Sequence, residues 1–247
     1  MLVVDRVDKF YRKGGLFSRE RQQVLSNISF QYEQGECLGI IGESGCGKST
    51  LGRLLLGIEK PERGSILLNG EELGRKGAGK GAISAVFQDY TSSINPYFTV
   101  EQAIMEALNM KSNNRKLKQS KVDYLLQHVG LDPSCRNKYP HELSGGQIQR
   151  VCIARAVATE SPCILLDEAI SSLDGSVQMQ VLELLQKLKE HDRLGYIFIT
   201  HDIRAAAYIC DRVMIMRSGQ VEEIVNIEHL SGVQSPYAKK MLQMIMA

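Results

Sequence analysis

Apolar and polar positions change period several times along the chain, and each change predicts an element. Leu2 to Phe10 and Val24 to Tyr32 are β-prone and are expected to pair antiparallel across a polar loop, Arg12 to Gln23. Cys37 to Ile41 is a short continuous apolar run suited to a buried strand, and the apolar-rich segment Leu51 to Gly57 predicts a helix behind it. After the turn Pro61-Glu62-Arg63-Gly64, Ser65 to Leu68 predicts a strand that ends in the hairpin signal Asn69-Gly70. A loose Gly/Lys loop, Gly74 to Gly81, then leads to a β-prone run, Ile83 to Phe87, ending in Gln88.

From Thr99 to about Tyr139 the period is helical. Val100, Ala103, Ile104, Ala107 and Leu108 fall on one face, and Val122, Leu125, Leu126 and Val129 on another. Further on, the pattern predicts a helix to Ala158 from Leu143, a buried parallel strand at Cys163 to Leu166 and an amphipathic helix at Val177 to His191. A strand at Tyr196 to Thr200 follows, then a hairpin of Met214 to Met216 and Gln220 to Val225 around Ser218-Gly219, and a tail helix from Pro236 to Met246. The order predicts an α/β domain: a core of residues 1–98 and 160–225, a helical subdomain inserted at 99–159, and a tail at 226–247.

Composition leaves this picture intact and removes some functions. An apolar fraction of 43% in 247 residues is ample for a buried core. A net charge of +2 makes no global case for nucleic acid as a partner. Six cysteines without a C-x-x-C pair suit reduced thiols filling the core of a cytosolic protein. With no signal peptide and no apolar run approaching the ~20 residues that span a bilayer, the chain is expected to be neither secreted nor integral to a membrane. Two local features stay open. The basic run Lys111, Arg115, Lys116, Lys118 and Lys121 is either a solvated linker or a contact for anionic lipid or a partner. The Met-rich tail (Met241, Met244, Met246) is either a contact surface or a helix packed on its own domain.

The candidate chemistry centres on Gly42-Glu43-Ser44-Gly45-Cys46-Gly47-Lys48-Ser49-Thr50, which fits the phosphate-binding pattern G-x-x-x-x-G-K-[ST] between a strand and a helix. Glycines let successive N–H groups point at phosphates, the helix N-terminus adds its positive end, Lys48 supplies a charge and Ser49 a hydroxyl for magnesium. Cys46 is either a thiol activated by this setting or a small residue at a variable position. Tyr11, ending the first strand, offers a ring that can stack on a purine, though most such tyrosines stack on nothing. Ser144-Gly145-Gly146 is either a second anion site or an ordinary capped helix start. Asp167 and Glu168 close a core strand where α/β sheets hold ligands; Asp167 suits a magnesium-water ligand, Glu168 the polarising of an attacking water. His201 follows the next strand at the same edge, where a γ-phosphate contact is plausible.

In order, Gly42 to Thr50, Gln88, Leu143-Ser144-Gly145-Gly146-Gln147, Ile164-Leu165-Leu166-Asp167-Glu168, Ser171-Ser172-Leu173-Asp174 and His201 resemble the full motif set of an ATP-binding cassette (ABC) transporter ATPase. The resemblance implies a P-loop cassette with a RecA-like parallel-sheet core, an N-terminal antiparallel β subdomain and the inserted helical subdomain. It implies ATP and Mg2+ as ligands, with Tyr11 stacking on adenine and Gly42 to Thr50 around the phosphates. Ser49, Gln88 and Asp167 would serve the metal, Glu168 would be the general base, and His201 would contact the γ-phosphate. It further implies a head-to-tail dimer in which Ser144, Gly145, Gly146 and Gln147 close over ATP on the other subunit's loop.

Within that family, Gln88-Asp89 leading to Ser92-Ser93-Ile94-Asn95-Pro96, Tyr139-Pro140-His141-Glu142-Leu143, and Ser235-Pro236-Tyr237 are similar to the peptide and nickel importer ATPases. The short segment after Tyr237 in this sequence is closer to the nickel or metal-chelate type. Implied partners are a second, different ATPase subunit, two membrane permease subunits and an extracellular solute-binding protein, with the chain peripheral on the cytoplasmic face. A di- or oligopeptide importer is the alternative; an exporter ATPase and a soluble ABC protein acting on DNA or ribosomes are further rivals. Three departures stand out: Ala169-Ile170 where the family usually has Pro then Thr or Ser, expected to leave that loop less rigid and more apolar; Ile148 for a basic residue; and Tyr90 for proline.

Overall fold

The computed structural model describes residues 1–12, 20–73, 83–89, 93–109 and 115–246. The expected loop Gly74 to Gly81, residues 13–19 of the first polar loop, Tyr90, Ser92 and Lys111 lie outside the described residues, as do the side chains of Arg115, Lys116, Met244 and Met246. In chain order the elements are β1 (Leu2–Arg12), β2 (Arg21–Tyr32), β3 (Cys37–Ile41), α1 (Lys48–Leu55), β4 (Arg63–Leu68), β5 (Glu71–Glu72) and β6 (Ile83–Phe87). There follow α2 (Val100–Asn109), α3 (Arg115–His128), α4 (Gly145–Ala158), β7 (Cys163–Asp167), α5 (Gly175–Asp192), β8 (Gly195–Thr200), α6 (Ile203–Ile209), β9 (Arg212–Arg217), β10 (Gln220–Asn226) and α7 (Pro236–Met246).

Two sheets result. The first is antiparallel, in the order β2-β1-β4-β5. Its β4–β5 turn places Asn69 and Gly70 at φ 51° and 85°, the two positive values that a two-residue hairpin matching strand twist requires. The second runs β10-β9-β3-β8-β7-β6, with β9, β3, β8, β7 and β6 mutually parallel and β10 antiparallel at the edge. Its parallel strands are joined through helical connections, while β10 follows β9 in a hairpin.

The period of two along each parallel strand divides the core. Leu38 and Ile40, Cys163 and Leu165, Ile197 and Ile199, and Met214 and Met216 pack with α1 and the inner face of the antiparallel sheet. Ile41, Ile164 and Leu166, Tyr196 and Phe198, and Val213 and Ile215 pack on the other side against the later helices. Strands buried on both faces read as unbroken apolar runs, which is why Cys37 to Ile41 and Cys163 to Leu166 were visible without alternation.

The apolar faces expected for the helical block are buried: Val100, Ala103, Ile104, Ala107 and Leu108 on α2, and Val122, Leu125 and Leu126 on α3 with Val129 just beyond it. The basic run differs from the expected linker. From Arg115 onward it lies on α3, where lysine, arginine and glutamine are good helix formers; Lys118 is buried and Lys121 pairs with Glu160. All six cysteines are free and buried. No helix among the described residues is long and apolar enough to cross a membrane.

Candidate functional site

Strand register assembles the site. Ile41 lies opposite Thr200, Ile199 opposite Asp167, and Asp167 opposite Phe87. The residues that follow or end these strands therefore sit in a row along the C-terminal sheet edge: Gly42 after β3, His201 after β8, Asp167 and Glu168 at β7, and Gln88 after β6. Such an edge is where parallel α/β sheets take ligands.

The loop Gly42 to Gly47 joins β3 to α1, with Gly47 as the αL N-cap of the helix at φ 105°. A Cβ on Gly47 would meet Leu25 Cδ2 at 2.7 Å, so glycine is needed for conformation and for clearance. Ser44, Gly45, Gly47, Lys48, Ser49 and Thr50, with Val24 and Glu168, line a cavity of about 200 Å3. Lys48 is almost fully buried, and its ammonium donates to the carbonyls of Gly42 (2.8 Å) and Glu43 (3.0 Å). Glu43 and Cys46 do not line the cavity. Burial pushes the Cys46 thiol up, and the attraction of Lys48 does not reverse it. The activated-thiol reading of Cys46 is therefore corrected: desolvation outweighs the helix end and the lysine.

Ser49 Oγ donates to Asp167 Oδ1 at 3.2 Å, joining the first helical turn to the end of β7. The two oxygens form the hard donor pair that suits magnesium, which prefers one or two carboxylates alongside substrate phosphates. Glu168 leaves the strand at φ 49°, an uncommon conformation for a residue with a side chain, while its N–H still donates to Ile199 O at 2.9 Å. Its carboxylate lies 3.5 Å from His201 Nδ1. The expected clamp, acids and histidine are thus one constellation.

Other expected site residues stand apart from it. Gln88 is exposed at the end of β6 and does not line the loop cavity. Tyr11 donates its hydroxyl to Glu59 (2.8 and 2.7 Å), and Lys9 lies 5.4 Å from its ring centroid. Ser144 caps α4 reciprocally with Gln147, whose N–H reaches Ser144 Oγ at 3.3 Å while Ser144 N–H reaches Gln147 Oε1 at 2.9 Å. None of Ser144, Gly145, Gly146 and Gln147 lines the loop cavity of this chain. Val24, which does, carried no sequence signal, because a valine in a β-prone segment looks like any other.

The ABC transporter family model matches residues 25–171, more than half of the chain. The chain belongs to the ABC transporter family. It is an ATPase subunit of a transporter and carries the α/β ABC cassette fold. It is 42% identical over 244 residues to the metal-staphylopine import system ATP-binding protein CntF of Staphylococcus aureus (strain NCTC 8325 / PS 47), covering 98% of both chains. It is 41% identical over 230 residues to the nickel import ATP-binding protein NikE of Escherichia coli O6:K15:H31 (strain 536 / UPEC), covering 90% of this chain and 86% of that one. Among solved structures, the ATP-binding cassette MJ0796, in a dimeric post-hydrolysis state bound to ADP and Pi, superimposes with a TM-score of 0.81 at 28% identity, over 92% of this chain and 99% of its own. The cbiO1 cassette from Clostridium perfringens, part of the ABC transporter complex cbiONQ, also gives 0.81 at 28% identity, over 98% and 92%.

Two of the three departures from the family's usual residues, Ala169-Ile170 and Ile148, lie among the described residues and are buried. Ala169 and Ile170 are buried in the core, and the loop is tied by Ser171 N–H and Oγ to Glu168 O (3.1 and 2.9 Å) and by Gln178 Nε2 to Ile170 O (3.0 Å). The loop is apolar at these two positions, as expected, and these hydrogen bonds tie its backbone. Ile148 is buried in the same cluster.

Proposed function

We propose that this chain is the ATP-hydrolysing subunit of a binding-protein-dependent importer that takes up nickel, cobalt or a metal chelate. The observation that carries the catalytic part is the single sheet edge on which Ser49 meets Asp167 at 3.2 Å and Glu168 meets His201 at 3.5 Å, beside the glycine loop and Lys48. The metal cargo is supported by likeness to a metal-staphylopine and a nickel import subunit over most of the chain.

Loop N–H groups and the α1 N-terminus hold the ATP phosphates, and Lys48 exchanges the carbonyls of Gly42 and Glu43 for phosphate oxygens. Ser49 and Asp167 would hold magnesium, which would offset charge on those oxygens when bound. Glu168 accepts the proton of the attacking water as its oxygen bonds to the γ-phosphorus and the bond to the bridging oxygen breaks, releasing ADP and phosphate. His201 orients Glu168 and reaches the γ-phosphate, Gln88 monitors metal and water from the end of β6, and Tyr11 supports adenine.

One chain contains one phosphate loop and one copy of the signature motif Leu143-Ser144-Gly145-Gly146-Gln147, and Ser144 to Gln147 do not line this chain's own loop cavity. The proposal therefore includes a second ATPase subunit whose Ser144 to Gln147 equivalent closes over the bound ATP. Closure reaches the permeases through the segment after Gln88. A groove of about 450 Å3 there is lined by Phe87, Ser93, Glu106, Cys152 and Arg155, with exposed Phe87 and Tyr97 nearby in sequence.

The test uses the complex reconstituted with its permeases, second ATPase subunit and solute-binding protein. E168Q is expected to lower ATP turnover and nickel or metal-chelate uptake by at least about 100-fold, the scale of a lost general base, with ATP affinity retained. Full turnover in that variant would sink the assignment, and uptake of peptides alone would move the cargo to the alternative.

A further inference from the structure

Of the three residues of the phosphate loop that do not line its cavity, Gly42, Glu43 and Cys46, the last two are held from outside by the C-terminal part of the chain. Cys46 O accepts from Gly219 N–H at 3.0 Å, in the turn between β9 and β10. Gly219 has φ 79°, and a Cβ there would meet Val24 O at 2.3 Å, so this turn is wedged between the loop and β2. Glu43 N–H donates to the Tyr237 hydroxyl at 3.4 Å, on the first turn of α7.

The tyrosine is itself built in. The Arg217 guanidinium at the end of β9 lies 4.9 Å from its ring centroid and 3.7 Å from Glu222. Ser235 donates through Oγ to Glu222 at 3.1 Å and through its N–H to Glu223 at 3.0 Å, while Ala238, Met241 and Leu242 anchor the helix in the core. Burial, the largest influence on the phenol, pushes it above its ordinary range, so the group next to the loop is a neutral acceptor that does not repel phosphate.

The peptide between Gly42 and Glu43 is gripped on both sides: its carbonyl by Lys48 at 2.8 Å, its N–H by Tyr237. We infer that Tyr237 is a positioning residue for ATP binding, holding the Gly42–Glu43 peptide in place when Lys48 leaves it for the phosphates. The inference rests on the proposed role of Gly42 to Thr50 as the ATP phosphate loop. With Lys48 withdrawn, Tyr237 is, among the described residues, the remaining side-chain hold on that peptide plane, and the loop keeps the curvature its inward N–H groups need.

Y237F tests this in the full chain, because it keeps the ring, the Arg217 contact and the packing, and removes only the acceptor oxygen. The dissociation constant for ATP with magnesium, and the KM for ATP in the reconstituted complex, are expected to rise about three- to tenfold, the scale of one neutral hydrogen bond. Turnover at saturating ATP should change less than about twofold and the nucleotide-free thermal midpoint should stay in place, as for lost ground-state binding. Y237A is expected to weaken ATP binding further and also to lower the midpoint. Parent-like affinity and KM in Y237F would overturn the inference, as would a loss confined to turnover. A parent chain that binds no ATP would instead overturn the functional reading beneath it.

Discussion

Burial pushes the Asp167 carboxyl above its ordinary range; the hydrogen bond from Ser49 pulls it back only in part, and Glu168 beside it pushes it further up. For an acid raised in this way, stability is full below the ordinary carboxylate range and is lost as pH rises through the raised value. At neutral pH the nucleotide-free chain therefore carries an unfavourable charge on Asp167, one that the proposed magnesium role would use. D167N keeps the shape and removes the charge. It is expected to raise the nucleotide-free Tm at pH 7, at about 2–4 °C per kcal/mol relieved, with the gain shrinking toward pH 4, while magnesium-dependent turnover falls at least about 100-fold. Calorimetry with and without magnesium and ATP separates the two effects; a D167N chain less stable than the parent at pH 7 would refute the account. The acids, the histidine and the loop were all legible at this scale because each is a residue type at a strand end. The outer contacts of Glu43 and Cys46 were not, since a helix 194 residues away and a turn 173 residues away in the chain leave no local trace.

Element boundaries followed the pattern at α7 and in the Asn69-Gly70 and Ser218-Gly219 hairpins, whereas α1 begins at Lys48 and ends at Leu55 rather than spanning Leu51 to Gly57. Helix α6 was unread because seven residues with three consecutive alanines carry no period; it is started by Asp202, whose Oδ1 accepts from Arg204 N–H at 2.8 Å and Ala205 N–H at 3.4 Å. The signature helix shows how one residue can serve packing as well as binding. A Cβ on Gly146 would lie 2.6 Å from Val177 Cγ1, a β-branched side chain with little freedom to turn aside. Overpacking of this kind costs about 1–3 kcal/mol, against about 1 kcal/mol gained when alanine replaces glycine inside a helix. G146A is therefore expected to destabilise the parent but to stabilise a V177A chain, as read from urea unfolding midpoints. Equal effects in the two backgrounds would show that the glycine is not there for α5.

At the scale of the whole molecule, the clamp and the signature belong to different surfaces of one chain, so assembly becomes the measurable consequence. E168Q with ATP and magnesium is expected to associate with the second ATPase subunit, giving roughly the summed mass in light scattering, because slow turnover prolongs the closed state. K48A, deprived of the charge that meets the phosphates, should stay apart under the same conditions. Association of K48A as complete as that of E168Q would mean that ATP does not drive closure.

The sequence by itself determined the α/β class, the phosphate-loop motif, most of the order of strands and helices, with β5 and α6 unread, and the family, because these depend on local period, turn chemistry and short contiguous motifs. Only the tertiary structure decided that Ser49 meets Asp167, that Glu168 faces His201, that Cys46 is a buried thiol pushed up by desolvation, and that Tyr237 on α7 touches the outer side of the loop. Those facts arise from parallel register and from contacts between residues far apart in the chain. Such contacts are settled by how whole layers pack and desolvate one another, and no short stretch of residues encodes them alone.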